Sequence, residues 1–390
     1  MAPLIRAGRG AAEVRALLLL DSLPGVGPAR LLRLVRRFGS ARAALAASSP
    51  AFAQAAGREA AAARTDAALR RHVDAGLERA SGLGMTVLSW GDEAYPPVLR
   101  RLADPPPVLF LRGDTDLLAR AAAAGVGVVG ARRATPRGRD VARRLGAALG
   151  RRDVPVVSGM ALGIDGAAHT GALDGKGPTV AVLGSGADRA YPRRHGGLFR
   201  EIVARGLVVS EFLPGTPALP YNFPRRNRIL AALCTRLVVV EAGRRSGALI
   251  SVDHALDLGV EVFAVPGPID TPGCAGSNAL LRDGARPLIS VEEFVAEAVG
   301  GGRAARASPA PASCGPEIPP HGGERAPHGP DRLAPEEAAL LRHIRRTGVS
   351  VDEIAHRAGL DAGRAWALLA GLELSGWVER LPGSRVRRAG

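Results

Sequence analysis

The feature that most constrains the fold is an alternation, across residues 83–298, of short valine-rich runs with longer glycine-interrupted segments. Runs of this length and β-branched content predict buried strands, and the segments between them are long enough to be crossover helices. The clearest predicted strands are Val126–Val129, Pro155–Val157, Thr179–Leu183, Leu207–Val209, Arg236–Val240 and Val260–Val265. The pattern predicts an α/β domain of the extended Rossmann-like, doubly wound type, with a mostly parallel sheet.

Three further segments surround this domain. Residues 1–82 are rich in Ala, Leu and Arg at helical spacing, which predicts a small helical domain. Residues 299–332 are dominated by Gly, Pro, Ser and Ala, so we expect a flexible linker there. Residues 333–390 contain three helix-like stretches followed by a ribbon at Trp377–Val386, a pattern typical of a winged-helix domain.

The chain is strongly basic, with a formal net charge of +15, which favours a polyanionic partner. Total charge is weak evidence, because every basic residue except Lys176 is an arginine amid abundant Ala, Gly and Pro, as GC-rich coding produces. The positions of the arginines are more informative. Eight of them lie between Arg132 and Arg152, opposed there only by Asp140.

Several classes of protein are not expected. No apolar run reaches the roughly 18 residues that span a bilayer, and no secretory signal is recognisable, so a cytoplasmic protein without membrane contact is predicted. The three cysteines form no CxxC pair, and neither a metal site nor a disulfide framework is indicated. A GxGxxG fingerprint followed by an acidic residue is missing, which argues against a nicotinamide enzyme. No cofactor is expected.

Glycine-rich or arginine-rich turns follow the predicted strands, and a parallel sheet places such turns together at one edge. Backbone amides at helix entrances and the forked guanidinium group both bind phosphate. Several converging turns suit a phosphodiester chain better than one small ligand. The residues predicted to bind DNA phosphate are Gly130, Arg132, Ser158, Gly159, Gly184, Gly186, Arg193, Arg225, Asn227, Arg228, Ser246 and Gly247. We expect Arg132, Arg225 and Arg228 to share one groove.

Aromatic side chains accompany these turns. Tyr191 and Phe223 are placed to stack on bases, although packing in the core would explain them equally well.

Asp165 and His169 are four residues apart and therefore on one face of a predicted helix. An acid–base pair is conceivable, but no nucleophile or metal ligand set adjoins them. A structural Asp–His hydrogen bond is the favoured interpretation.

A Gly25-Val26-Gly27 turn separates two helical stretches near the N-terminus. Helix-hairpin-helix modules use the free amides of such a turn to bind DNA phosphates. A tight helix–helix turn without ligand contact explains the same residues.

These motifs together resemble the core of the DprA/Smf family of DNA-processing proteins, and the resemblance covers about residues 83–298. Ala131 stands where the family commonly has Ser, and His195 where it commonly has Asn. The matching segments are Gly130–Arg132, Ser158–Asp165, Leu183–Pro192, Phe223–Ile229, Val239–Leu249, and Val262–Gly267 with Gly276–Asn278.

The resemblance implies a helix-hairpin-helix or SAM-like helical domain, the Rossmann-like domain and a C-terminal winged helix. It implies a non-enzymatic homodimer that protects incoming single-stranded DNA and loads a RecA-type recombinase during natural transformation. The third helix of the winged-helix domain, around 364–372, is too apolar for base readout, which favours a protein-interaction role. A nucleotide-binding or nucleotide-phosphoribohydrolase-like Rossmann protein and a protein adaptor without DNA affinity remain as alternatives.

Overall fold

The computed structural model describes residues 9–300 and, nearer the C-terminus, 340–344, 349–350, 354, 357–358, 368–369, 372, 377–381 and 385–388. The chain divides into two compact units, Met1–Ser308 and Pro309–Gly390. Most of the predicted linker, from 301 onward, lies outside the described residues. No helix within the described residues combines the length and apolar character that crossing a membrane requires.

The predicted helical segment is helical. Its core is not separate from the sheet, because Leu17 and Leu31 belong to the same buried apolar cluster as Phe110 and Met160. The helices therefore pack against the α/β domain. They are α1 (Arg9–Asp21), α2 (Pro28–Phe38), α3 (Ala41–Ala46), α4 (Ser49–Ala56), α5 (Arg58–Ala63) and α6 (Ala67–Gly82).

A nine-stranded sheet follows, in the order β1-β2-β6-β5-β4-β3-β7-β8-β9. The pairs from β6 to β9 in this order are parallel, which confirms the predicted mostly parallel sheet, while β1 and β2 form an antiparallel extension at one edge. The strands are β1 (Thr86–Ser89), β2 (Val108–Gly113), β3 (Val126–Val129), β4 (Val156–Ser158), β5 (Thr179–Val182), β6 (Leu207–Ser210), β7 (Arg236–Val239), β8 (Glu261–Ala264) and β9 (Arg286–Pro287).

Helices cover both faces of the sheet, as a doubly wound fold requires. Alternation along β3 shows the two layers, since Val129 packs with residues of α8, α12 and α13 while Val128 packs with residues of α9, α10 and α15. The helices of this domain are α7 (Pro97–Arg100), α8 (Asp116–Ala124), α9 (Pro136–Arg151), α10 (Ile164–Asp174), α11 (Gly196–Arg205), α12 (Asn222–Ala232), α13 (Ala248–Asp257), α14 (Ala275–Arg282) and α15 (Val291–Gly300).

Helices α9 and α10 approach each other backbone to backbone. A Cβ atom added to Gly146 would collide with the carbonyl oxygen of Ala168, and one added to Gly171 would collide with the carbonyl oxygen of Arg143. Glycine at these positions allows the two helices to touch without intervening side chains.

The direction of strand progression reverses beside β3. From β3 the chain continues through β4, β5 and β6 on one side, and β7, β8 and β9 occupy the other side. The crevice outside the carboxyl ends of β3 and β7 is therefore the topological switch point, where open α/β sheets bind ligands.

The C-terminal unit contains a second, antiparallel sheet in the order β10-β12-β11, formed by β10 (Val349–Ser350), β11 (Val378–Leu381) and β12 (Arg385–Arg388). Leu340, Ile354, Leu369 and Val386 are buried together in its core. A small helical core closed by a three-stranded sheet is the predicted winged-helix arrangement. Most of the helix predicted around 364–372 lies outside the described residues.

Candidate nucleic-acid interface

A cavity of about 190 Å³ opens at the switch point. The end of β3, the beginning of α12 and the beginning of α13 form its walls. Its polar lining includes Gly130, Arg132, Asp165, Arg226, Asn227 and Gly247, and its apolar lining includes Val129, Phe223, Leu230 and Ile250. Four residues of the predicted phosphate site, Gly130, Arg132, Asn227 and Gly247, are thus brought together here. Their contact with DNA stays a prediction.

The most buried cation of the cavity is Arg226, whose exposed fraction is 4%. Its Nη1 donates to the Gly159 carbonyl oxygen at 2.9 Å, and its Nε donates to Asn227 Oδ1 at 3.3 Å. No carboxylate of the described residues forms an ion pair with it. Burial lowers the pKa of Arg226 to about 10, against the attraction of the nearby Asp165 carboxylate. A buried cation without an ion-pair partner is costly, and a bound anion would remove that cost.

Asp165 lies beneath this arginine at the start of α10. Burial raises the pKa of its carboxyl group, and the Arg226 charge and backbone N–H donors act in the opposite direction. The Ala161 N–H donates to Asp165 Oδ2 at 3.3 Å. Asp165 therefore organises the loop between β4 and α10.

The loop after β4 is fixed against the turn after β3. Gly163 has a φ of +83°, and a Cβ atom there would collide with the carbonyl oxygens of Ala131 and Arg132. The Ile164 N–H donates to the Ala131 carbonyl oxygen at 3.3 Å. The absent side chain at Gly163 thus lets two strand-end turns meet at the cavity floor.

An arginine and two aromatic rings form a stacked group at the cavity rim. The Arg132 guanidinium carbon lies 4.9 Å from the centre of the Phe223 ring. The Tyr191 and Phe223 ring centres are 5.4 Å apart, tilted by 35°. Tyr191 is 42% exposed, so the group presents aromatic surface to solvent. Such surface can stack on an unpaired base.

Predicted glycines contribute by close packing. A Cβ atom at Gly159 would lie 2.5 Å from the Arg226 guanidinium, and one at Gly184 would lie 2.8 Å from the Phe223 ring. Both are buried and lie outside the cavity lining. Glycine at 159 and 184 lets Arg226 and Phe223 occupy their positions, which differs from the predicted backbone contact with phosphate.

Two predicted donors are engaged inside the protein. The fully buried Ser158 hydroxyl donates to the Val128 carbonyl oxygen at 2.6 Å. The Gly186 N–H donates to the Thr216 carbonyl oxygen at 3.0 Å, and Gly186 is buried as well. The predicted phosphate contacts of Ser158 and Gly186 are therefore wrong, because both groups already have protein partners and neither reaches the surface.

Other predicted residues lie beside the cavity. Arg193 is exposed in a short 3₁₀ helix, Arg193–His195. Ser246 lies just before α13, and its hydroxyl accepts from the Ala248 N–H at 3.3 Å. His195 forms a 3.0 Å hydrogen bond between its Nδ1 and the Met160 carbonyl oxygen. None of these three residues lines the cavity.

Arg225 and Arg228 form a separate cluster of charges. Both nitrogens of the Arg228 fork donate to the Glu211 carboxylate, at 2.7 and 2.8 Å, and its Nε lies 3.0 Å from Asp104 Oδ2. Arg225 also pairs with Glu211 at 3.0 Å and lies 3.8 Å from Asp21. Burial would lower the pKa of Arg228, but these carboxylates outweigh it and raise the pKa.

The prediction that Arg132, Arg225 and Arg228 share one groove is therefore wrong. Arg228 is 3% exposed and its donors are occupied by carboxylates, so it is not available to phosphate. Arg225 is also absent from the cavity lining. On α12, the polar side chains that line the cavity are those of Arg226 and Asn227.

The predicted Asp165–His169 hydrogen bond is also wrong. His169 Nδ1 is 2.7 Å from Thr179 Oγ1, and Thr179 donates in turn to the Val156 carbonyl oxygen at 3.0 Å. Burial lowers the pKa of His169 to about 3, so the ring is neutral over the physiological range. The hydrogen-bond partner of His169 is thus Thr179, on strand β5, and not Asp165.

Sequence analysis missed two important residues, Arg226 and Glu211. Arg226 lies in the FPRRNRI segment, and its position between two other arginines gives no local sign that it differs from them. Glu211 directly follows β6, and an acidic residue at a strand end near several arginines could have been noticed as a structural partner.

A family model described as DNA recombination-mediator protein A matches residues 86–299, and a model of the DprA winged-helix domain matches residues 324–384. The chain is 37% identical over 298 residues to Protein Smf of Escherichia coli, covering 76% of this chain and 75% of that relative.

Solved structures agree with these matches. The structure of DNA processing protein A from Streptococcus pneumoniae aligns with a TM-score of 0.61 at 30% identity, covering 74% of this chain and 96% of that one. DNA processing protein A from Helicobacter pylori, described for its single-stranded-DNA-binding mode, aligns with a TM-score of 0.50 at 28% identity, covering 56% and 96%. The motifs, the fold and the matched residues together show that the chain belongs to the DprA/Smf family of DNA-processing proteins.

Proposed function

We propose that this protein binds single-stranded DNA by its sugar–phosphate backbone at the switch-point cavity and catalyses no reaction on it. Arg226 carries the proposal, because it is a buried cation that faces the cavity and has no ion-pair partner among the described residues. A phosphate beside Arg226 and Arg132 would accept charge-assisted hydrogen bonds from both. The exposed Tyr191 ring adds a stacking surface that only unpaired bases can use.

The comparisons support this assignment. The Helicobacter pylori relative is described as binding single-stranded DNA, and several relatives are named DNA processing proteins. We extend the same ligand to this chain because the cavity offers guanidinium and amide donors without base-edge specificity.

The wider role follows from the family resemblance. We propose that the bound strand is protected and passed to a RecA-type recombinase in the cytoplasm during natural transformation. A test is whether the protein accelerates recombinase filament formation on single-stranded DNA coated with a single-strand-binding protein. Unchanged filament kinetics would contradict this role while leaving DNA binding intact.

A homodimer is proposed with it. Ile269 and Ile289 are 99% and 78% exposed. Ile289 follows the edge strand β9, and Ile269 follows its neighbour β8. Exposed large aliphatic side chains near an unpaired edge suit a subunit interface. We expect Ile269→Glu with Ile289→Glu to yield monomers in analytical ultracentrifugation. A dimer of unchanged stability would contradict this interface.

The binding proposal is tested by fluorescence-anisotropy titration of labelled oligo-dT and of a duplex of equal length across a salt series. We expect preference for the single strand and an affinity that falls as salt rises, because bound phosphates release counterions. Removing the residues after 300 tests whether the N-terminal unit is sufficient. Salt-insensitive binding, or preference for the duplex, would contradict the proposal.

A nucleotide-binding or nucleotide-phosphoribohydrolase-like function is the second candidate. It is favoured by the small size of the cavity and by Asp165 in its lining. Calorimetry with a panel of mononucleotides, and chromatography for released base, distinguish the two. Heat of binding or base release with mononucleotides, without affinity for oligonucleotides, would favour the second candidate.

A further inference from the structure

A second basic groove lies on the helical region. It has a volume of about 460 Å³ and is formed by α2 and the α4–α5 junction. Arg30, Arg33 and Arg37 line it from α2, and Gln54 faces them from α4. The spacing of three and four residues places the three arginines along one side of α2.

These guanidinium groups are open to an anionic ligand. Arg33 and Arg37 are exposed, and α2 contains no acidic residue. Arg30 Nη1 donates to the carbonyl oxygens of Gly25 at 2.7 Å and of Ala56 at 3.2 Å, while Arg37 Nη2 donates to Gln54 Oε1 at 2.8 Å. Within the described part of the chain, no carboxylate forms an ion pair with any of the three arginines. Their charge is therefore not neutralised by the protein.

The groove continues into the turn that precedes α2. Gly25 and Gly27 are both exposed, and Arg30 connects this turn to the groove through its hydrogen bond with Gly25. Gly27 is the N-cap of α2 and no side chain caps the helix there. Backbone donors and guanidinium groups are thus adjacent, and both kinds of group recognise phosphate oxygens.

A short segment connects the turn that precedes the groove to a contact with the start of α12. Asp21, at the end of α1, is 3.8 Å from Arg225. Gly25 is only four residues further along, a reach of at most about 14 Å. The next residues of α12, Arg226 and Asn227, line the cavity. A single DNA strand that extends from the cavity could therefore reach the turn before α2 within a few nucleotides.

We propose that the groove lined by Arg30, Arg33 and Arg37 is a second binding site for DNA phosphates, occupied by the part of a long single strand that extends beyond the cavity. An acidic protein segment is the less suitable ligand. Protein interfaces depend on apolar anchors in pockets, and the aliphatic lining residue Leu34 is buried here. The inference rests on the proposed binding of DNA at the cavity.

The test compares full-length wild type with Arg33→Ala/Arg37→Ala, using labelled oligo-dT of two lengths. The short one fills only the cavity, and the long one can also reach the groove. Both replaced side chains are exposed, so folding is expected to be retained, and thermal unfolding checks this. We expect at least about a tenfold loss of affinity for the long oligonucleotide, since hydrogen bonds to charged groups are lost. The salt slope should fall by about 1.4, or about 0.7 for each phosphate contact.

The matched control is Arg36→Ala/Arg42→Ala, which removes the same charge from exposed positions outside the groove. A loss confined to the groove variant and the long oligonucleotide supports the site. An equal loss in the control would overturn it, because only net charge would then matter. Unchanged DNA affinity would overturn it too, and loss of binding to poly-glutamate alongside would assign the groove to an acidic protein. Absence of oligo-dT binding by the wild type would instead refute the proposed function.

Discussion

The arginines on the two sides of α12 have different kinds of partner. On one side Arg228 is enclosed by Glu211 and Asp104, and every nitrogen of its guanidinium group has a partner. On the other side Arg226 is equally buried but contacts a carbonyl oxygen and an amide oxygen. Two arginines of one helix turn thus differ. Arg228 is held in ion pairs, whereas Arg226 faces the cavity with the Asp165 carboxylate nearby but outside ion-pair distance.

The difference teaches how to separate structural from ligand-binding arginines in a basic protein. Proximity to a glycine-rich turn does not distinguish them, because both lie in the same short segment. The presence of a carboxylate within ion-pair distance does. By this criterion Arg132 and Arg226 belong to the proposed DNA site, and Arg225 and Arg228 hold α12 in place.

The largest effect should come from breaking the ion pairs of Glu211 with Arg225 and Arg228, on the side of α12 that we call closed. In Glu211→Ala two arginines lose their shared carboxylate, and removing one partner of a buried ion pair costs about 3–5 kcal/mol. We expect the free energy of unfolding, measured by urea denaturation, to fall by this amount. Glu211→Gln keeps the shape and should lose nearly as much. A change below about 1 kcal/mol would show that the pair behaves like an exposed one.

On the open side of α12, where Arg226 faces the cavity, substitutions should change the affinity for single-stranded DNA. Arg226→Met keeps much of the side-chain volume but removes the charge, and we expect oligo-dT binding to weaken by about 1.5–3 kcal/mol, the contribution of hydrogen bonds to charged groups. Arg133→Ala, an exposed arginine outside the cavity, is the control for net charge. Equal losses in both variants would remove the distinction between the two sides of α12.

The aromatic rings at the cavity rim, Tyr191 and Phe223, allow a test of base stacking on the open side. Phe223→Leu removes the ring that packs with Arg132 and Tyr191, and a loss of about 1–3 kcal/mol is expected for each base that stacks there. Phe223→Tyr keeps the ring and should retain binding. The measurement is anisotropy with an oligonucleotide that carries bases and with an abasic one. A similar loss on both would indicate that the ring serves only to position Arg132.

The smallest effect should appear at alkaline pH. Burial lowers the pKa of Arg226 to about 10, whereas its carboxylate partners raise the pKa of Arg228. Phosphate binding requires the protonated guanidinium, so above pH ~10 the protein must take up a proton to bind, and affinity should decrease. Oligo-dA titrations between pH ~8 and ~11 measure this. Arg226→Gln should show a flatter profile, and an identical decline in that variant would assign it to another group.

Much of the fold could be predicted because its signals are local. Val126–Val129 was predicted with the bounds that the structure has, since a short valine-rich run between Gly125 and Gly130 has few alternatives. The antiparallel strands β1 and β2 were not among the predicted strands, because their burial is set by tertiary contacts. The ends of the remaining predicted strands differ from the observed ends by at most one residue.

The candidate site was harder to predict than the fold, because the partners of its side chains are distant in sequence. The carboxylate of Glu211 lies 17 residues before Arg228, and nothing local indicates which turn of α12 it meets. Helical periodicity places Arg226 on a different face of α12 from Arg225 and Arg228. The sequence alone does not indicate which face contacts the ligand. Similarly, Thr179 is a partner of His169 only because β5 lies beside β4.

The direct contact between α9 and α10 has a consequence for how the turns at their N-termini can move. A joint filled by side chains can slide by changing rotamers, but one made of opposed main chains has no such freedom. We therefore expect α9 and α10 to move together as one rigid body. Any displacement of the turn that carries Arg132 will carry the Asp165 loop with it, so the cavity floor moves as a unit or remains still.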